Sequence, residues 1–134
     1  MTNSTLKLLI GGRWQAGSGI ALNSINPADN AILTQGNSAN AEDVDRAVTA
    51  ARLAFPNWSR LDLDSRLGFI RKYQNMLEQR REQLADCISA ETGKARWESA
   101  TEVTTMIGKV DLSIKAYAER TGTRETQGLS LIHI

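Results

Sequence analysis

Between Asn40 and Arg120 the apolar residues recur every three or four positions, and that period governs what this chain can fold into. Val44, Ala47, Val48, Ala51 and Phe55 form one stripe. Leu63, Leu67, Ile70, Leu77, Leu84 and Ile88 form a second, flanked by Phe69, Tyr73 and Met76. Val103, Ile107, Val110, Ile114 and Tyr117 form a third. Such a stripe covers one face of a helix and must be buried against a neighbour. The spacing predicts three helices. Asn40 caps the first, with Glu42 and Asp43 in the turn where acidic groups suit the helix dipole, and Pro56 is expected to end it. Asp62 caps the second, which should reach about Glu91 and stop at Thr92-Gly93, because glycine takes the left-handed conformation without penalty. The third should run from about Ala95 to Arg120 and close at Thr121-Gly122.

Ahead of the helices the pattern is short and turn-punctuated. Leu6 to Ile10 is an apolar run, then Gly11-Gly12, then Arg13-Trp14-Gln15. Two glycines between β-prone pieces predict a hairpin, since both central positions of a type I′ turn need positive φ. Gly17-Ser18-Gly19 is a second turn. Ile20 to Ile25 is a candidate strand stopped by Asn26-Pro27, and Ala31 to Gln35 is another that ends at Gly36. The chain is thus expected to be mainly α-helical with a small N-terminal β-hairpin region.

Composition narrows the partners. With 16 Lys and Arg against 15 Asp and Glu, the net charge of +1 gives no attraction to nucleic acid or to an anionic membrane surface. A single cysteine among 134 residues excludes an internal disulfide and fits a reducing compartment. The opening MTNSTLKLLIGGRW is too short in apolar residues for a secretory core or a membrane span. A soluble, cytoplasmic protein is the expectation.

No motif along the chain forms an active site. Gly93-Lys94 would need glycine at position 88 and Ser or Thr at 95 to be a phosphate-binding loop, and those positions hold Ile88 and Ala95. It reads as punctuation between two helices. Gly12 to Gly17 has the glycine spacing but no lysine and no long helix after it. Cys87 lies mid-helix near the apolar stripe with no histidine nearby, so it is expected to be a small buried hydrophobe and not a nucleophile. His133, the lone histidine, cannot build a metal site or a catalytic pair. Glu98 and Glu102 share a helix face, with Glu91 nearby, but no base or metal ligand accompanies them. Trp14, Trp58 and Trp97 sit beside junctions and are expected to be packing anchors.

The order of the pieces is nevertheless distinctive. LLIGGRW, INPADNAIL, DVDRAVTAARLAFPNW and the arginine-bearing helix ending in ISAETGKARWESATEV follow one another. In that order they resemble the N-terminal part of the aldehyde dehydrogenase superfamily, from about Leu6 to Gly122. The stretch TGKARWESATEVTTMIGKVDLSIKAYAERTG is most similar to members that act on a succinylated glutamate semialdehyde in arginine catabolism. The resemblance implies an α/β, Rossmann-like fold in the complete protein, with a cofactor-binding domain, a catalytic domain and an oligomerisation arm. It also implies a homo-oligomer at full length. The reaction implied is NAD-dependent oxidation of an aldehyde to an acid. A cysteine thiolate attacks the carbonyl, hydride passes to nicotinamide, and a glutamate base activates the water that hydrolyses the thioester.

Those catalytic and cofactor residues lie later in such enzymes and have no counterpart here. No catalytic, cofactor-binding or metal residue is therefore expected in this chain. Residues 1–127 are expected to be an incomplete cofactor-binding domain and 128–134, within GLSLIHI, a non-native tail. By the resemblance, the helix from Ala95 to Arg120 borders the substrate entrance, with Thr105 and Lys109 nearest to it and one turn apart. Lys109 there would attract the carboxylates of a succinylated substrate. The alternatives are a different aldehyde, or a stand-alone helical module whose stripes dock a partner. Wide stripes without a covering surface forgo much of their burial energy, at about 25 cal/mol per Å². The isolated chain is expected to be marginally stable or to aggregate.

Overall fold

The structure is a computed structural model that describes residues 4–122. Residues 128–134, and His133 among them, lie outside the described residues. Five short strands precede four helices. The strands are β1 (Ser4–Thr5), β2 (Leu8–Ile10), β3 (Arg13–Gln15), β4 (Ala21–Ile25) and β5 (Ile32–Asn37). The helices are α1 (Ala41–Ser59), α2 (Leu63–Gln79), α3 (Arg81–Thr92) and α4 (Arg96–Arg120).

β2 and β3 form the expected hairpin, with Leu9 opposite Trp14. Gly11 and Gly12 turn it at φ of 58° and 78°, the values that the two-glycine step supplies. β4 and β5 pair antiparallel, with Ser24 opposite Thr34, and β1 adds to the other edge of β5 in parallel. The connection between β4 and β5 is the Asn-Pro segment. Asn26 Oδ1 accepts from the Ala28 N–H at 2.9 Å, and Asp29 Oδ1 accepts from the Ala31 N–H at 3.0 Å. Asn30 takes φ of 59°, a left-handed conformation that asparagine tolerates better than most residues. These side-chain bonds add to two backbone ones, from the Asn26 N–H to the Ala31 carbonyl at 2.9 Å and from the Asn30 N–H to the Asn26 carbonyl at 2.8 Å.

Asp43 anchors the start of the helical part. It is buried, and Oδ2 accepts from the backbone N–H of Ser18 at 2.8 Å and of Asn40 at 3.1 Å. Asn40 Oδ1 in turn accepts from the Asp43 N–H at 2.9 Å, completing a reciprocal cap. Arg46 closes the ion pair. The two backbone donors, Ser18 before Asn40, and then the Arg46 charge hold the Asp43 carboxyl below its ordinary value.

Two helix boundaries differ from expectation. α1 continues through Pro56 to Ser59. Proline there removes one ladder hydrogen bond near the end of a long helix, which the remaining turns tolerate. The helix capped by Asp62 does not run unbroken to Glu91. It breaks at Arg80, at φ −107° and ψ 17°, where the N–H reaches back to Met76 and Leu77 and the residue caps both the end of α2 and the start of α3. No glycine or proline marks that break. Gly93 ends α3 at φ 73°, as its residue type predicts.

α2 and α3 both pack on α4. Leu77, Ala85, Val103 and Val110 are the buried apolar side chains there, and Ser99 is buried beside them. α1 meets β2 instead, and its stripe stays open: Val44, Val48 and Phe55 are all exposed.

Candidate functional site

The exposed face of α4 carries both residues that the sequence points to. Thr105 and Lys109 stand one helical turn apart, both exposed, so the structure does bring them together. The Thr105 hydroxyl donates to the Thr101 carbonyl at 3.0 Å, which leaves its oxygen lone pairs outward. Thr105, Lys109, Thr101, Glu102 and Met106 line a groove of about 330 Å³. On its other side Lys109 borders a second groove of about 390 Å³ between α2 and α4, with Ile70, Tyr73, Met106, Val110 and Ser113. The ammonium stem of Lys109 thus forms the ridge between two open depressions.

The charges around it are arranged unevenly. Glu102, in the same groove, is paired with Lys94, and that carboxylate raises the Lys94 pKa above its ordinary value. Among the described residues no carboxylate forms an ion pair with Lys109. A cation beside an apolar surface, with the neighbouring anion already engaged, favours an anionic ligand over a neutral one.

Gly93-Lys94 is a helix junction. The Gly93 N–H donates to the Ser89 carbonyl at 2.9 Å, and Ser89 Oγ donates to the Lys94 carbonyl at 2.7 Å. Lys94 Nζ is turned to Glu102, and Arg96 is held by Asp86 and Glu82. These cations are spent on carboxylates of the same chain, so the junction offers no free charge to a phosphate. Among the described residues no glycine-rich loop links a strand to a long helix; the long helix after β5 starts from the Asn40 cap.

Other expectations meet the structure differently. Cys87 is exposed, not a buried hydrophobe, because its side of α3 faces away from α4. Partial desolvation, and then the Glu91 carboxylate, push its thiol above the ordinary value. Trp14 and Trp97 are about two-thirds or more exposed, at 67% and 73%, and anchor nothing among the described residues. Trp58 does pack, with its ring 5.7 Å from that of Phe69. Glu91 accepts from Ser24 Oγ at 2.9 Å, tying α3 to β4, so the three glutamates do not form a cluster of free carboxylates. No group of three His, Cys, Asp or Glu among the described residues is placed to hold a metal ion. No helix among them is long and apolar enough to cross a membrane.

Sequence reasoning missed a polar seam along one flank of the α2–α4 contact. Gln74 Nε2 donates to the Ile107 carbonyl at 3.1 Å and to Asp111 Oδ2 at 2.8 Å. Arg71 pairs with Asp111 and also donates to Gln74 Oε1 at 2.7 Å. Further along, Arg81 donates to Thr104 Oγ1 at 2.6 Å and pairs with Glu78. Positions 71, 74, 78 and 81 recur at helical spacing, a pattern that in one sequence cannot be told from an ordinary solvated face.

Comparison with known proteins places these features. The sequence profile of the aldehyde dehydrogenase family matches residues 14–131. The N-succinylglutamate 5-semialdehyde dehydrogenase of Chromobacterium violaceum is 54% identical over 117 residues, which is 87% of this chain and 24% of that protein. The enzyme of the same name from Paraburkholderia xenovorans is 48% identical over 120 residues, 90% of this chain and 25% of that protein. The crystal structure of an NAD-dependent benzaldehyde dehydrogenase from Corynebacterium glutamicum superimposes with a TM-score of 0.80 at 27% identity, covering 93% of this chain and 27% of its own. The chain spans about a quarter of the length of the curated relatives it matches. Profile, sequence and fold agree: this chain belongs to the aldehyde dehydrogenase family.

Proposed function

We propose that the chain is the N-terminal part of the cofactor-binding domain, over residues 1–127, of an enzyme that oxidises N-succinylglutamate 5-semialdehyde to N-succinylglutamate in arginine catabolism. NAD accepts the hydride and water supplies the acid oxygen, so aldehyde, NAD⁺ and water become acid, NADH and a proton. The residues that perform those steps belong to the remainder of such an enzyme, and the chain alone is inactive. The complete protein is a soluble, cytoplasmic homo-oligomer.

The observation that carries this reading is the 54% identity to the Chromobacterium violaceum enzyme over nearly the whole chain. The name of that relative supports the substrate, and the name of the Corynebacterium glutamicum protein supports NAD. The role of this chain's own residues follows from the α4 face. Lys109 draws the carboxylates of the succinylated aldehyde toward the groove that it borders with Thr105. In this reading the Thr105 oxygen, whose hydroxyl donates to the Thr101 carbonyl, accepts a hydrogen bond from the substrate's amide N–H.

The test is a chimera in which residues 6–122 replace the corresponding segment of the Chromobacterium violaceum enzyme. It should oxidise N-succinylglutamate 5-semialdehyde with NAD. In that chimera Lys109→Ala should raise KM for the succinylated aldehyde about fivefold to tenfold, and KM for an uncharged aldehyde less than about twofold. Equal changes for both aldehydes would remove Lys109 from substrate recognition. A chimera that oxidises the uncharged aldehyde but not the succinylated one would point to a different aldehyde.

A further inference from the structure

We infer that the polar seam between α2 and α4 is a positioning device: it sets the roll of α4 about its axis, and so the direction in which Lys109 opens onto its groove. The inference rests on the reading of Lys109 given above, but its geometry is independent of it. The two helices meet along one line, on which Leu77 and Val110 are buried. One flank of that line is apolar and open, the groove lined by Ile70, Tyr73, Met106, Lys109, Val110 and Ser113. The opposite flank holds the hydrogen bonds of Arg71 and Gln74 to Asp111 and the Ile107 carbonyl, and past the break at Arg80 the first residue of α3, Arg81, continues it to Thr104.

Apolar contact alone lets one helix roll or slide on another at small cost, because dispersion and area burial carry no direction. Hydrogen bonds do have direction. Gln74 reaches the backbone itself at Ile107 and a side chain one turn on at Asp111, so it fixes both the height and the rotation of α4. Arg71 holds the far side of the same carboxylate, and Arg81 repeats the tie two turns away at Thr104. Lys109 lies between the tied positions 107 and 111 but projects to the other flank. A change in roll would carry its ammonium around the helix axis and alter the width of the groove at Met106. The hydrogen bonds of Arg71 and Gln74 end on Asp111 and the Ile107 carbonyl and not on a groove-lining side chain, so they act on recognition through α4.

The experiment uses the chimeric holoenzyme, labelled with ¹³C at methionine methyl groups. The Met106 resonance, assigned with Met106→Leu, reads the groove directly. Gln74→Leu should shift that resonance and raise KM for the succinylated aldehyde about threefold to tenfold, with kcat and the KM for an uncharged aldehyde within about twofold. Asp111→Asn, made on its own, gives up the Arg71 ion pair but keeps one acceptor oxygen for Gln74 and should stay closer to wild type than Gln74→Leu in both readouts. An unmoved Met106 resonance in Gln74→Leu would overturn the inference, whatever Lys109 does. A moved resonance together with equal effects of Lys109→Ala on both aldehydes would leave the seam as a positioning device and remove only the substrate role of Lys109. If Gln74→Leu does not fold, Arg71→Gln, which takes away the outer tie alone, is measured by the same two readouts with the same outcomes.

Discussion

Gly93 lies so close to Pro27 that a Cβ at position 93 would stand 2.9 Å from Pro27 Cγ. The Asn-Pro turn and the α3–α4 junction are thus pressed together, and Ser24 reinforces the contact through Glu91. Gly93 also sits at φ 73°. Gly93→Ala in the chimeric enzyme should lower stability by about 1–3 kcal/mol, from left-handed strain and the proline contact together. Gly93→Asn separates the two causes, because asparagine tolerates the left-handed backbone but still carries a Cβ. Urea unfolding should place Gly93→Asn between wild type and Gly93→Ala. Equal stability of all three proteins would show that neither cause acts.

The carboxyl of Asp43 gives a pH signature. Its folded pKa is lowered, chiefly by the Ser18 and Asn40 backbone donors. A depressed carboxylate contributes stability above the unfolded value, and loses it as pH falls through the folded value. Asp43→Ala should therefore be least stable relative to wild type near neutral pH. The difference should begin to narrow as pH falls to the ordinary carboxylate value of about 4, and go on narrowing as pH falls through the lowered folded value. Denaturant midpoints across that range check it. A difference that stays constant with pH would mean that the charge of Asp43 is not what holds Ser18.

Core and open face should respond oppositely to truncation. Val103 is fully buried between α3, α4 and α2, whereas Leu53 on α1 is 76% exposed. Val103→Ala should destabilise the chain by about 2 kcal/mol, through two lost methyl groups and the cavity left behind. Leu53→Ala should change the isolated chain by less than about 0.5 kcal/mol. In the chimera, if the rest of the protein covers α1, Leu53→Ala should cost several times more. Equal effects in both settings would mean that the α1 stripe stays open at full length.

The isolated chain itself should be sticky. Phe55, Val48 and Val44 on α1, and Phe69 and Tyr73 on α2, present apolar surface to water. Patches of that extent in a soluble monomer mark surfaces meant to be covered. The purified chain should bind a hydrophobic dye and elute from size exclusion larger than its 14.7 kDa mass. A dye-silent monomer with a sharp, reversible thermal transition would contradict this.

What could be read from sequence was what neighbours along the chain determine. The Gly11-Gly12 turn, the Asn40 and Asp62 caps, the Gly93 stop and the 25-residue α4 each depend on residues within a few positions. The break at Arg80 was not legible, because Arg81 finds Thr104 and Ala85 buries on α4, both set by distant sequence. Pro56 misled because its usual effect assumes a helix interior, and here only one turn follows it. Cys87 and the exposed tryptophans were misplaced for a related reason: periodicity tells which residues share a face, not which faces find a neighbour. The seam of Gln74 and Asp111 had no local mark at all, since polar residues on a helix surface look alike until a second helix lies beside them.

β1 joins the sheet in parallel, with Ser4 against Thr34, although the strand beside it in the sequence forms a separate hairpin. Thirty residues of chain must loop out before those two backbones can meet. The β4–β5 ribbon has to exist first, as the template onto which the opening strand is laid. During synthesis β1 leaves the ribosome ahead of the strand that it pairs with, and waits unpaired while the segments behind it take shape.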